Sequence, residues 1–307
     1  MPVIADALGP VFALILFGAV LRRARFTSDA FWPGVERLTY FVLFPALLVH
    51  KLALADFGQA RLAPLVLAVT AVVVATALLL FTIRRITTTS GPAFTSVFQG
   101  GIRLNTYIGL ACANALYGRP GLVMAAIVVA ILIPVVNVLC VLCFTLAADD
   151  EPFRWRTMAD TLARNPLVLA CALGIALNAA RIGLPGWIGP ILDLLGAAAL
   201  PLGLIAVGAA IRFRARQGAM REIGAASVVK FVIHPGLMLA AASTLPLDPL
   251  ARSVLLLFAT LPTASSAYIL ARQLGGDTEL MANMITAQTL LAFVTIPAWL
   301  GIAAWLW

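Results

Sequence analysis

The chain has 307 residues, of which 62% are apolar and only 11% charged, with a mean hydropathy of +1.03. That is too little charge to coat a water-soluble globule, so a soluble enzyme domain is excluded and the solvent is a lipid bilayer. Lys and Arg number 21 against 13 Asp and Glu, a formal charge of +8; basic loops on one membrane face account for the excess, and no nucleic-acid partner is expected.

Apolar runs between charged or Gly/Pro-rich breaks predict ten spans, at roughly 3–21, 36–54, 63–83, 93–117, 121–147, 165–181, 187–211, 223–245, 250–272 and 279–306. The first run has no basic residue ahead of it and is followed by Arg22, Arg23 and Arg25, so it reads as a retained helix and not a cleaved leader. The sixth run is short, and polar residues interrupt the fourth and ninth. Cys112, Cys140, Cys143 and Cys171 all lie in apolar runs, where they act as small hydrophobes and form no disulfide framework.

Placing the connections alternately on two sides sorts the cations. One side collects Arg22, Arg23, Arg25, Arg37, Arg84, Arg85, Arg154, Arg156, Arg164, Arg212, Arg214, Arg216, Arg221 and Arg272. The other collects Lys51, Arg61, Arg119, Arg181 and Arg252, leaving Arg103 and Lys230 inside spans. The positive-inside rule makes the first side cytoplasmic and puts both termini outside. A linker at 149–164 separates residues 1–148 from 165–307, giving two five-helix halves whose odd helix number forces opposite membrane orientations. The halves echo one another: Pro45 and Pro201 occupy comparable places, and the segment from Asn105 overlays that from Thr263 with Ala113/Ala271, Leu116/Leu274 and Gly118/Gly276 in common.

A span in hydrocarbon is expected to be an unbroken helix, because each unsatisfied backbone group costs several kcal/mol, unless its irregular part lines a cavity in the protein. Two spans depart from this. The fourth carries Gly100, Gly101, Arg103, Asn105, Thr106, Tyr107 and Gly109 near mid-membrane; the ninth carries Thr260, Pro262, Thr263, Ala264, Ser265 and Ser266 at an equivalent depth. Pro262 removes an amide donor and restricts Leu261, which predicts a break there. Each break alone reads as a kink or a polar helix contact. Paired breaks at matched positions point to a transporter midplane site, where half-helix amino ends offer free N–H groups and a positive dipole.

Three stretches carry a family resemblance: Arg103-x-Asn105-x-x-x-Gly109 followed by Ala-Leu-Tyr-Gly118, Lys230-Phe-Val-Ile-His234-Pro235, and Leu261-Pro262-Thr263-Ala264 with Tyr268 and Ala271. Over nearly its whole length the chain resembles the auxin efflux carrier family, which includes bacterial malonate and dicarboxylate carriers and plant PIN transporters. The resemblance implies an all-α membrane protein similar to the bile acid sodium symporters, with ten helices in two inverted repeats and discontinuous crossing helices four and nine. It also implies a scaffold of helices one, two, six and seven that can form a homodimer, and a moving core of three to five and eight to ten, an elevator-type arrangement. The long cytoplasmic loop of many plant members is absent, and a compact Ala- and Arg-rich chain suits a bacterial inner membrane.

The polar residues indicate the sign of the substrate. Intramembrane charge is costly and functional by default. Here both candidates, Arg103 and Lys230, are cations, while no Asp or Glu sits mid-span. Arg103 with two helix amino ends favours a carboxylate, with Asn105, Thr106, Tyr107, Thr263, Ala264, Ser265 and Ser266 around it; the alternative is that Arg103 anchors the helix breaks by binding carbonyls. Lys230 is either buried or snorkels to the cytoplasmic interface. Lys230, His234 and His50 are the coupling or gating candidates, and each histidine reads equally as a polar helix contact. Gly100, Gly101, Gly109, Pro262, Pro45 and Pro201 are the hinge candidates. No cofactor and no metal centre are expected. With no His-Glu-x-x-His, no Gly-x-Ser-x-Gly and no paired intramembrane aspartates, an enzyme is not expected. The expected function is secondary transport of small organic anions, mono- or dicarboxylates such as malonate or auxin-like aromatic acids. A ligand sensor or an anion channel is the alternative.

Overall fold

A computed structural model describes residues 2–56, 62–87, 90–147, 159–160, 162–211 and 219–307. The described residues are helical and contain no strand. Most of the 149–164 linker lies outside them, as do Arg61, Arg154, Arg156, Arg212, Arg214 and Arg216. Six helical stretches are long and apolar enough to cross a membrane: Ile4–Arg23, Leu62–Thr82, Gly91–Ala147, Ile188–Ala210, Met220–Thr244 and Thr278–Leu306. Two shorter apolar helices, Pro166–Ala179 and Pro249–Ala259, accompany them. The chain divides into two compact units.

The first unit comprises Met1–Arg61, Tyr107–Ile133 and Thr161–Ala210. Its helices are α1 (Pro2–Arg23), α2 (Phe31–Leu38), α3 (Phe44–Ala53), the middle of α7 (Thr106–Ala147), α8 (Pro166–Ala179) and α9 (Ile188–Ala210). Apolar burial cannot drive helices together in lipid as it does in water, so small residues that let backbones approach do much of the packing. Gly18 and Gly208 serve α1 and α9: a β-carbon on Gly18 would strike the Ile205 carbonyl, and one on Gly208 the Ile15 carbonyl. Gly174 of α8 leaves room for Val49 and Leu52, and Gly196 of α9 for Leu47. Polar groups close the helix ends. Arg22 donates from Nη1 to the Ala209 carbonyl at 2.6 Å, in the last turn of α9. Asn178 Nδ2 donates to the Ala53 and Ala55 carbonyls at 3.0 and 2.7 Å, beyond the reach of α3's own ladder. Gly118 interrupts α7 with φ 61° and ψ −149°, a conformation that excludes side chains, so the α7 run is two helices joined by a kink.

The second unit comprises Leu62–Thr106, Pro134–Asp160 and Ile211–Trp307. It holds α4 (Leu62–Thr82), α5 (Arg84–Thr87), α6 (Gly91–Ile102), the end of α7, α10 (Met220–Val228), α11 (His234–Thr244), α12 (Pro249–Ala259), α13 (Ser266–Leu274) and α14 (Thr278–Leu306). From Ala93 to Ile102 every residue of α6 is buried, as expected of a central helix apolar on all sides. Ser90, Asp248 and Asp277 cap α6, α12 and α14 with side-chain oxygens that accept N–H bonds from Ala93, Ala251 and Leu280. The starts of α6 and α14 are tied: Ser96 Oγ donates to the Asp277 carbonyl, and the Asp277 N–H to the Pro92 carbonyl.

Two π turns, Thr39–Leu43 and Val229–Ile233, each end two residues before a proline, Pro45 or Pro235. A proline inside a helix removes one ladder donor and crowds the carbonyl four residues earlier, and a widened turn relieves that crowding. For Pro235 the deprived acceptor is the Phe231 carbonyl. Trp299 Nε1 donates to it at 2.7 Å, so a side chain from α14 replaces the missing backbone donor.

Candidate substrate site

The interruptions expected in the fourth and ninth spans lie together in the second unit. The helix stops at Ile102 and resumes at Thr106; the other stops at Ala259 and resumes at Ser266. Arg103 is extended at φ −72°, ψ 154°, so Gly100 and Gly101 form the last turn of α6 and Gly109 lies within α7. The two gaps touch through the backbone, the Asn105 N–H donating to the Pro262 carbonyl at 2.7 Å.

A buried break must satisfy the backbone groups it releases. Gln288, from α14, satisfies two of them: its Oε1 accepts from the Thr263 N–H at 3.1 Å and its Nε2 donates to the Gly100 carbonyl at 3.0 Å. Thr263 Oγ1 donates to the same carbonyl at 3.0 Å. Thr263 and Gln288 have no exposed surface and knit one break to the other. The carbonyls of Gly100 and Pro262 thus already accept hydrogen bonds.

Arg103 is partly exposed and reaches two neutral partners. Nη1 donates to Asn137 Oδ1 at 3.2 Å on α7, and Nη2 to Ser266 Oγ at 3.1 Å in the first turn of α13. Neither side chain carries charge, so the guanidinium is oriented without being neutralised. No Arg103 ion pair occurs among the described residues. Ala264, Ser265 and Ser266 are also partly exposed, and no side chain caps α13 at Ser265; within its first turn the Ala267 and Tyr268 N–H groups donate to the Ala264 and Ser265 carbonyls, and the helix dipole still points its positive end here. A guanidinium beside an uncapped helix start is suited to a carboxylate.

The other candidates separate. Asn105, Thr106, Pro262 and Thr263 are buried at the breaks. Tyr107 belongs to the first unit, where its ring stacks on Phe44 with centroids 4.3 Å apart and Gly203 makes room beside them. Pro45 follows the first π turn, and Pro201 is carried inside α9. His50 is in the first unit, its Nδ1 3.4 Å from Asp193 Oδ1, which Lys51 Nζ approaches at 3.3 Å. His234 is a buried helix contact in the second unit: Thr76 Oγ1 gives its proton to the Val72 carbonyl, so the 2.8 Å contact with His234 Nδ1 has the ring N–H donating. Lys230 has no exposed surface, which removes the interfacial alternative.

Sequence comparison bears on the identity. Residues 156–300 match a family model described as Membrane transport protein. A protein of Methanothermobacter thermautotrophicus (strain Delta H), named "Uncharacterized transporter", is 26% identical over 293 residues, covering 94% of this chain and 95% of that protein. The family match covers just under half of the chain, and this relative is named as a transporter. A second relative, the "Putative malonate transporter" of Rhizobium meliloti (strain 1021), is 29% identical over 200 residues, or 61% of this chain and 62% of the relative. The matches agree with the resemblance read from Arg103 to Gly118 and from Lys230 to Ala271, and the names indicate a membrane transporter, not an enzyme. Asn137 and Gln288, which organise the site, escaped the sequence reading. The only signal was a lone amide in an apolar run for Asn137 and a polar stripe with Asn283, Thr286 and Thr289 for Gln288.

Proposed function

We propose that this chain is a secondary transporter of small organic anions, with mono- and dicarboxylates as the substrate class and malonate the first candidate. The observation that carries the reading is the Arg103 guanidinium, positioned by Asn137 and Ser266 and left without a counter-charge where two interrupted helices meet. The name of the Rhizobium meliloti relative supports malonate in particular. The ammonium of Lys230 and the absence of mid-span carboxylates in the sequence disfavour a cationic substrate. In this proposal ten spans form two inverted five-helix repeats, 1–148 and 165–307, with both termini outside the bacterial inner membrane and elevator-type alternating access. Helices one, two, six and seven form the scaffold, through which two copies associate. Substrate charge bonds to Arg103 and the α13 amino end, and Ser265 and Ser266 bond to its remaining oxygens.

Counterflow in proteoliposomes, with unlabelled malonate inside and a labelled panel of mono- and dicarboxylates outside, tests this. The expected result is saturable, malonate-driven accumulation. Non-saturating flux would make the protein a channel, binding without flux a sensor, and neither binding nor flux for any carboxylate would overturn the proposal.

A further inference from the structure

The second unit contains another group of polar atoms that Arg103 does not use. Lys230, on the π turn of Val229–Ile233, has no exposed surface, and its Nζ has no hydrogen-bond partner among the described residues. Gln99 Nε2 and Oε1, Ser227 Oγ and Asn283 Nδ2 are also buried and unpartnered.

These residues flank one helix crossing. A β-carbon on Gly100 would lie 3.3 Å from Ala226 Cβ and would collide with Met284 Sδ, so α6, α10 and α14 meet at Gly100. Gln99, Ser227 and Asn283 are the chain neighbours of those three contact residues. Lys230 follows Ser227 by three residues, on the same side of its helix.

The atom types indicate what is missing. Lys230 Nζ, Gln99 Nε2 and Asn283 Nδ2 only donate, Gln99 Oε1 only accepts, and Ser227 Oγ does either. Donors exceed acceptors among these four residues, and the buried ammonium calls for an acceptor. The carboxylate on the same helix, Glu222, lies eight residues earlier, about 12 Å along the axis, and Lys230 makes no ion pair among the described residues. An unpaired buried charge costs several kcal/mol, which a bound anion would offset.

We infer that the second unit holds a separate compact-anion site, in which Lys230 supplies the charge and Gln99, Ser227 and Asn283 supply neutral hydrogen bonds. Its ligand is a small monovalent anion, either a halide or a carboxylate group. It uses none of the residues assigned to the substrate and does not depend on Arg103.

The test uses the purified full chain in detergent at constant ionic strength. Thermal midpoint is titrated with sodium bromide or sodium acetate replacing sodium gluconate. Bromide or acetate should raise the midpoint saturably. A response to bromide alone identifies an inorganic ligand, and a response to acetate alone a carboxylate; either supports the site. Lys230→Met should abolish the dependence and Lys230→Arg should keep it. Should Lys230→Met fail to fold, Ser227→Ala and Asn283→Leu serve instead, each raising the half-saturating concentration about tenfold through the lost hydrogen bond to a charged partner. Arg103→Gln should leave the titration unchanged. Identical midpoints in gluconate, bromide and acetate, an undiminished response in folded Lys230→Met, or loss of the response in Arg103→Gln would each overturn the inference.

Discussion

Replacing Gln288 by Leu keeps the side-chain volume roughly constant and removes both hydrogen bonds that α14 makes to the helix breaks. The Thr263 N–H, fully buried, is then left without its acceptor, a loss of about 1–3 kcal/mol. The Gly100 carbonyl keeps the Thr263 hydroxyl, so its loss is smaller, about 0.5–1.5 kcal/mol. The sum predicts destabilisation of about 1.5–4.5 kcal/mol, read by reversible unfolding in mixed micelles. Thr263→Val alone should cost less, since it leaves both Gln288 bonds in place. Because both side chains serve one carbonyl, the double variant should depart from additivity by at least about 0.5 kcal/mol. Gln288→Leu unfolding within 0.5 kcal/mol of the native chain, or strict additivity, would refute the view that these side chains compensate the breaks.

Gly208→Val drives a branched side chain into the Ile15 carbonyl and should separate α1 from α9, lowering stability by about 1–3 kcal/mol or more; a native melting profile would contradict that packing. Trp299→Phe leaves the Phe231 carbonyl without a donor and should cost about 1–3 kcal/mol in the same unfolding assay, with Trp299→His, which retains an N–H, restoring part of it. Pro262→Ala lifts the restriction on Leu261 and should cut carboxylate flux severely while leaving the protein in the membrane; normal flux would remove the proline from the mechanism.

The breaks were legible because they contradict the lipid solvent. Pro262 lacks a donor, and Arg103 and Asn105 cannot face hydrocarbon, so an uninterrupted apolar helix was untenable at either place. The satisfaction of the released backbone groups was not legible. Asn137 stands alone among apolar neighbours and Gln288 sits unmarked beside Thr286 and Thr289, and only tertiary proximity makes Gln288 a bridge between Thr263 and Gly100 and Asn137 a support for Arg103. Lys230 illustrates the same limit: nine residues from Arg221, it suited burial and snorkelling equally until the structure showed it without exposed surface. The π turns were hidden for a related reason. Pro45 and Pro235 announce a disturbed helix, but whether it kinks, ends or widens depends on what replaces the lost hydrogen bond, and for Pro235 that is Trp299, distant in sequence.

Malonate affinity of Arg103→Gln, measured by inhibition of labelled carboxylate counterflow beside the native chain and Arg103→Lys, addresses the central claim most directly. Glutamine can still hydrogen-bond to Asn137 and Ser266 but carries no charge. Losing a charge-assisted bond is worth about 1.5–3 kcal/mol, so half-inhibition should move up roughly ten- to a hundredfold while membrane expression and melting behaviour persist, with Arg103→Lys intermediate. A folded Arg103→Gln protein with native malonate affinity would contradict the account.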